Sequence, residues 1–331
     1  MREETKVLVI GGGSWATALV KILHENLHQV SWYIRNDQLR EHVQRRGYNP
    51  HYLSSIHFNL DRLVLVPDLR TGLAGAEVVL VVVPSAFLPT WLEGAGDGLK
   101  DKFVLTAVKG LVPKVHMTVS EYLRQNFQTS YSRLGVISGP CHAEEVSLER
   151  LSYLTFSCKD LKDAERMAAL FATPYINTVL ATDIYGAEYS AILKNVYAIA
   201  VGMAHGLGYG DNFMAILTSN SLTEMRDYLN ASYPSTRDVT DSAYLGDLLV
   251  TCYSQFSRNR TFGSMIGKGY SVQATQAEME MVAEGYYAAE GIHALNASHK
   301  VHMPIADMVY SVLYEGKAPG EAMQALTASL R

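Results

Sequence analysis

The run Val7-Leu8-Val9-Ile10-Gly11-Gly12-Gly13-Ser14-Trp15-Ala16 constrains the chain more than any other. Four consecutive aliphatic residues predict a strand buried on both faces, and the run 17–23 predicts a helix directly after it. Between them stands the pattern GxGxxA. Gly11 permits the tight turn, Gly13 lets the backbone approach a pyrophosphate, and small Ala16 permits close helix–strand packing. The helix start offers free N–H groups to anionic oxygens. A glycine triplet alone is weak evidence. With a strand before it and a helix after it, the pattern points to a dinucleotide-binding turn.

Further Val/Ile/Leu-rich runs at 30–34, 63–66, 78–83, 103–108 and 134–138 alternate with helical segments such as 15–25, 38–46 and 115–127. Continuous apolar runs suit parallel strands covered on both sides, and their alternation with helices predicts an α/β fold with a doubly wound Rossmann-type sheet. Strand candidates at 151–157 and 175–179 extend the pattern to about residue 180. The second strand ends in Arg35, followed by Asn36 and Asp37. A guanidinium there suits a ribose 2′-phosphate, which favours NADPH over NADH, while Asp37 leaves NADH open.

After Thr182 helical periodicity takes over, with Phe213, Ile216, Leu217, Met225 and Leu229 expected largely on one face. Turns are expected at 206–210, 233–234 and 267–269. The predicted division is 1–182 for a dinucleotide-binding domain and 183–331 for an all-helical substrate and catalytic domain.

Composition narrows the function classes. The 331 residues are 48% hydrophobic and 18% charged, enough apolar material for two cores. Lys plus Arg is 28 against 33 for Asp plus Glu, a net charge of -5, which argues against nucleic acid as a partner. Cys141, Cys158 and Cys252 form no CxxC pair, so reduced thiols in a cytoplasmic protein are expected, with neither a disulfide framework nor a metal site. The start MREETK has no signal-peptide character, and the longest apolar run, 78–83, is far too short to span a bilayer. The chain is therefore expected to be soluble and intracellular, with apolar surface enough on the helical domain for a homodimer.

Several polar groups stand where ligands gather, beyond the carboxyl ends of strands. Lys109-Gly110 follows one strand, and Gly139-Pro140-Cys141-His142-Ala143-Glu144 follows another. Lys194 is the single charge in the apolar helix predicted at 189–203, on a stripe with Ala187, Ala191 and Ala198. Burial there lowers an ammonium pKa toward a value useful for proton transfer; the alternative is a packed stem whose head reaches water. Asp247 follows Gly246, where an N-cap is the alternative to a functional carboxylate. In Ser257-Arg258-Asn259, Arg258 provides a bidentate fork for a phosphomonoester and its neighbours provide neutral donors; the alternative is a solvated helix end.

Taken together these segments resemble one family, the NAD(P)-dependent glycerol-3-phosphate dehydrogenases of the bacterial biosynthetic type. The resemblance runs nearly end to end. It is carried by GGGSWATALV at 11–20, AVKGL at 107–111, SGPCHAEEV at 138–146, LKNVYAIAVGMAHGLGYGDN at 193–212, LGDLLVTCYSQFSRNRTFG at 245–263, AEGYYAA at 283–289 and VHMPIADMVYSVLYEG at 301–316. It implies that Lys194 exchanges a proton with the substrate C2 oxygen, that Lys109 stands near cofactor and substrate, and that Asp247 belongs to the substrate site. Gly139, Cys141, Ser257, Arg258 and Asn259 match substrate contacts. Ser14, Trp15, Arg35, Lys109, Ala143, Arg258, Val282 and Glu284 match cofactor contacts beside the glycines. The sequence departs from the family pattern in four places: Ala16 replaces a frequent third glycine, and Cys141 a commoner hydroxyl residue. Asp241-Ser242-Ala243-Tyr244 replaces a glycine-rich lead-in, and Tyr286 a small aliphatic. The implied activity is reversible NAD(P)H-dependent reduction of dihydroxyacetone phosphate to sn-glycerol 3-phosphate, for glycerophospholipid synthesis. The alternatives are a dehydrogenase of another small hydroxy substrate and a catalytically inactive NAD(P)-binding sensor.

Overall fold

The computed structural model describes residues 4–279 and 283–331. Eight strands form one sheet: β1 (Val7–Ile10), β2 (Val30–Tyr33), β3 (Leu63–Leu65), β4 (Val78–Val81), β5 (Phe103–Thr106), β6 (Leu134–Ser138), β7 (Ser152–Cys158) and β8 (Ile176–Ala181). Their order is β3-β2-β1-β4-β5-β6-β7-β8, and every neighbouring pair is parallel except β6 with β7. Every residue of β1, β4, β5 and β6 is buried, as continuous aliphatic runs between two helical layers require. Full burial stabilises each such aliphatic side chain by about 1.5–3 kcal/mol. The α/β expectation holds.

Strand order reverses at β1, which lies between β2 and β4. Ile10 is in register with Tyr33 on one side and with Val81 on the other, so three carboxyl ends align there. Such a switch point is where open α/β sheets take ligands. The strands expected to reach 34, 66, 83 and 108 end one or two residues earlier. Single backbone bonds from Val66 to Trp32, Val82 to Ile10 and Ala107 to Val81 continue the ladder before the chain peels away.

The chain forms two compact units: residues up to Val108 with Val119–Ile184, and Lys109–Thr118 with Tyr185–Arg331. The sequence division at 182/183 carried no sign of the excursion at Lys109–Thr118. Four residues of it, 115–118, were expected to open a helix, which instead spans Val119–Phe127. In the excursion Leu111 is buried in the core of the second unit, and a single antiparallel bridge joins Val112 to Met117.

The second unit is built around the helix Ile184–Gly206. Residues 196–204 of that helix are almost wholly buried, consistent with a helix apolar on all sides. The helix Arg258–Gly267 crosses it closely: a Cβ on Gly202 would lie 2.1 Å from the Arg260 carbonyl oxygen, and one on Gly263 2.1 Å from that of Ile199. Helices at Asp211–Ser232, Asp247–Tyr253, Val272–Glu278, Glu284–His299, Pro304–Tyr314 and Pro319–Thr327 complete the unit. Of the five residues expected on one face of Asp211–Ser232, Leu217, Met225 and Leu229 are buried and Phe213 is partly buried, but Ile216 is 46% exposed. Successive helical residues lie about 100° apart, so 216 and 217 cannot share a narrow face. Among the described residues no helix is long and apolar enough to cross a membrane.

Candidate functional site

In the first unit the glycine turn leaves β1 and enters the helix Ser14–Asn26. Gly11 has φ +142°, and a Cβ there would meet the Val82 carbonyl oxygen at 2.1 Å, so only glycine fits. Gly13 precedes the helix with φ −85° and ψ −177°, and a Cβ there would meet nothing within 4 Å. The turn is thus closed beside β4 and open at Gly13. The helix has no acidic residue in its first turn, and no side chain caps its leading N–H groups. Ala16 is fully buried against the strand, as the packing argument required. One residue past Ser14, the indole Nε1 of Trp15 is buried with no hydrogen-bond partner among the described residues. An open backbone cradle, a bare helix start and an orphaned donor fit the pyrophosphate of a dinucleotide.

Beyond β2, Asn36 caps the helix Asp37–Arg46 by accepting from Leu39 N at 2.8 Å. Asp37 is paired with Arg40 at 2.7 Å. Arg35 is exposed, with no ion pair or hydrogen bond among the described residues. The carboxylate that left NADH open is therefore engaged, and the guanidinium that suits a 2′-phosphate is free. Ala143 opens a short helix, Ala143–Ser147, that packs against Ser14–Asn26. Gly139 and Cys141 lie between β6 and that helix, with Cys141 buried.

In the second unit one carboxylate holds two ammonium groups. Lys194, in the middle of Ile184–Gly206, forms a very short ion pair with Asp247 Oδ1. Lys109 Nζ lies 3.4 Å from Asp247 Oδ2. Lys194 and Asp247 are almost wholly buried, whereas the Lys109 side chain keeps 20% of its exposure. The N-cap alternative for Asp247 falls away. A single π-helical turn, Ser242–Gly246, leads into Asp247–Tyr253, so the aspartate is its first helical residue and its side chain points to the lysines.

The electrostatics follow from that count of charges. With all three groups ionised the cluster has one positive charge in excess. Burial lowers the Lys194 pKa well below the ordinary lysine value; Asp247 opposes this shift and the Lys109 charge adds to it. Burial also pushes the Asp247 carboxyl up, but the charges of Lys109 and Lys194 and the hydrogen bonds from both outweigh it and hold Asp247 below its ordinary value. Lys194 is thus poised to exchange a proton, beside a carboxylate that stays ionised. Cys252, on the same helix as Asp247, is pushed by burial up to about 12 and stays an unreactive thiol.

A chain of amide contacts surrounds the cluster. Asn195 Nδ2 donates to the Lys109 carbonyl oxygen at 2.8 Å, Asn259 Nδ2 to Asn195 Oδ1 at 2.9 Å, and Gly285 N to Asn259 Oδ1 at 2.9 Å. The structure therefore joins Lys109, Lys194, Asp247 and Asn259 with the segment that carries Glu284. Asn259 spends one donor and its acceptor on this scaffold. Ser257 caps the helix Arg258–Gly267 by accepting from Arg260 N at 3.3 Å. Arg258 opens that helix, partly buried and without an ion-pair partner among the described residues. Val282 lies outside the described residues. Asn195 had no role in the sequence reading although it stands inside the LKN segment, where its place beside Lys194 was the available signal.

Known proteins resemble this chain over nearly its whole length. The family model for the NAD-dependent glycerol-3-phosphate dehydrogenase N-terminus matches residues 6–164, and the model for the C-terminus of the same family matches 183–324. A glycerol-3-phosphate dehydrogenase [NAD(P)+] of an Exiguobacterium species is 35% identical over 325 residues, covering 97% of this chain and 94% of its own. The enzyme of the same name from Halalkalibacterium halodurans is 34% identical over 327 residues, covering 98% and 94%. The crystal structure of glycerol-3-phosphate dehydrogenase from Coxiella burnetii superposes with a TM-score of 0.91 at 28% identity, covering 98% of this chain and 99% of that one.

Proposed function

The chain belongs to the NAD-dependent glycerol-3-phosphate dehydrogenase family, and on that premise we propose that it interconverts dihydroxyacetone phosphate and sn-glycerol 3-phosphate with Lys194 as proton donor and acceptor. The observation that carries the assignment is the buried cluster of two lysines on one aspartate. Its excess positive charge is unfavourable at rest and is offset when an oxyanion develops at the substrate C2 oxygen. The dinucleotide, when bound, supplies the hydride in one direction and takes it in the other.

Lys194 gives its proton to the forming alkoxide, or takes it back in the reverse direction. Asp247 orients the ammonium and keeps the lysine stem from turning away. Lys109, nearer solvent, adds positive charge next to the reacting oxygen. Arg258 with Ser257 and Asn259 anchors the substrate phosphate, using binding energy remote from C2 to hold a reactive geometry. Gly139 and Cys141 belong to the substrate contacts of this proposal. Gly11, Gly13, Ser14 and Trp15 hold the pyrophosphate side of the dinucleotide, Arg35 reads a 2′-phosphate so that NADPH is preferred, and Ala143 and Glu284 complete the cofactor contacts. The same proposal places the reaction in the cytoplasm, feeding glycerophospholipid synthesis.

The test follows NADPH absorbance with dihydroxyacetone phosphate, with NADH and unphosphorylated dihydroxyacetone in parallel. Rapid oxidation that requires the phosphate is expected, faster with NADPH at low cofactor concentration. Equal turnover of the unphosphorylated ketone would refute the Arg258 anchor, and tight NADPH binding without turnover would favour a sensor.

A further inference from the structure

All three carbonyls of the glycine turn are held by side chains. Trp32 Nε1 donates to the Gly11 oxygen at 2.5 Å, Asn49 Nδ2 to the Gly12 oxygen at 3.1 Å, and Thr17 Oγ1 to the Gly13 oxygen at 2.9 Å. Asn49 Nδ2 also donates to Thr17 Oγ1 at 2.9 Å. One amide therefore acts on two of the three carbonyls, directly at Gly12 and through a hydroxyl at Gly13. Its oxygen accepts from the backbone nitrogens of His51 and Tyr52, at 3.1 and 3.2 Å. Asn49 is fully buried, and these four bonds use its whole hydrogen-bonding capacity.

The consequence lies in the peptide planes. In a trans peptide the carbonyl of one residue and the N–H of the next point in opposite directions. Holding the Gly12 oxygen fixes where the Gly13 N–H points, and holding the Gly13 oxygen does the same for Ser14. These are the N–H groups that an open helix start presents to an anion. Glycine has the widest backbone freedom of any residue, so the Gly12 plane depends on Asn49, whereas the Gly13 oxygen also accepts from Thr17 N at 3.0 Å in the first turn of the helix.

We propose that Asn49 is a positioning residue for the dinucleotide, which pre-orders the pyrophosphate-binding N–H groups of Gly13 and Ser14 through the Gly12 carbonyl and Thr17. This inference rests on the cofactor reading above. Asn49 does not touch the reacting atoms, so its effect falls on dinucleotide affinity and spares the chemical step.

The test uses the full-length protein and two substitutions. Asn49→Asp keeps the two acceptor bonds to residues 51 and 52 but loses both donor bonds. Thr17→Val removes the relay hydroxyl without adding charge, and keeps the question open to test if the aspartate variant fails to fold. NADPH is titrated by nicotinamide fluorescence. Adenosine 2′-monophosphate, which lacks the pyrophosphate, is titrated by calorimetry. Kd for NADPH is expected to rise about 10–100-fold in Asn49→Asp and about 3–10-fold in Thr17→Val, the size of one or two lost hydrogen bonds. The pyrophosphate-free ligand should bind all three proteins within about 2-fold, and kcat at saturating NADPH should change by less than about 3-fold. Unchanged NADPH affinity in both variants would overturn the inference. So would an equal loss for both ligands, which means general damage to the unit. A wild-type protein that fails to bind NADPH would remove the cofactor reading itself, an outcome distinct from either.

Discussion

In the first unit the pyrophosphate is to be met by backbone: a helix start with no acid in its first turn, a glycine open to space, and carbonyls held by neutral side chains. In the second unit negative charge is to be met by side chains, a buried lysine and a partly exposed one around one buried aspartate. The backbone device involves no titratable group, so its failures are steric and insensitive to pH. The lysine cluster depends on protonation, so its failures are electrostatic and change with pH. A pyrophosphate carries permanent charge and needs only a shaped receptor, whereas an alkoxide exists only during reaction and needs a proton at the right moment.

The largest expected effect is on the charged side. Lys194→Ala should lower kcat by about 10²–10⁴-fold, the usual worth of a positioned acid–base group, while leaving NADPH affinity unchanged. The direction of the pKa shift adds a sign. Ketone reduction needs the protonated lysine, so its kcat should fall as pH rises through the lowered Lys194 pKa; alcohol oxidation needs the neutral amine and should rise through the same point. Steady-state rates in both directions across pH would show it. A reduction profile flat across neutrality, or near-normal turnover of the variant, would take Lys194 out of the chemistry.

The backbone side makes the opposite prediction, that two similar glycines fail differently. Gly11→Ala drives a Cβ into the Val82 carbonyl at positive φ and should cost at least about 1–3 kcal/mol of stability. Gly13→Ala places its Cβ in open space at an ordinary φ, so melting should change by no more than about 0.5 kcal/mol equivalent. In the proposed cradle its Cβ would stand where the pyrophosphate approaches, and NADPH affinity should fall about 10-fold or more. Thermal melts and dinucleotide titrations of both variants would decide; if Gly13→Ala bound NADPH normally, the cradle would be elsewhere. A smaller shift is expected at Arg35. Arg35→Asp should move the ratio of kcat/KM for NADPH over NADH toward NADH by about 10-fold, one charge-assisted contact. An unmoved ratio would show that another residue reads the ribose.

What could be read in the sequence reflects the same contrast. The strands and the turn were legible because a strand buried on both faces must be aliphatic throughout, and a backbone receptor needs glycine at fixed spacing. Lys194 was legible as the one charge in an apolar run. Asp247 was visible as a residue but not as the shared partner of two lysines, because residues 109, 194 and 247 come together only in the fold. Asn49 left no local signal: a single asparagine before a proline reads as a turn, and its bonds to Gly12 and Thr17 span more than 30 residues. The excursion at Lys109–Thr118 reads as strand end and helix start because its short apolar pattern imitates that of the first unit, although Leu111 is buried in the core of the second.

The last effect falls on stability alone and concerns a helix start that the protein closes for itself. At Ser14–Asn26 the leading N–H groups are left open, whereas at Pro304–Tyr314 the buried Glu224 accepts from Ile305 N at 2.6 Å and Ala306 N at 3.3 Å. Burial pushes the Glu224 carboxyl up to about 8 although both backbone bonds pull it down. A folded-state pKa raised above the unfolded one stabilises the protein fully at pH below the unfolded value, and that stability is lost as pH rises through about 8. Glu224→Gln keeps an acceptor oxygen for the helix start and has nothing to ionise. The variant gives up the longer bond to Ala306 N at every pH, so it should stand at or below the wild type near pH 4.5 and improve relative to it by about 1–3 kcal/mol toward pH 8.5, as read from denaturant melts at the two pH values. A gap between the two proteins that did not change with pH would mean that Glu224 is charged at little cost. Closing a helix start with an internal carboxylate would then be no dearer than leaving one open for a phosphate.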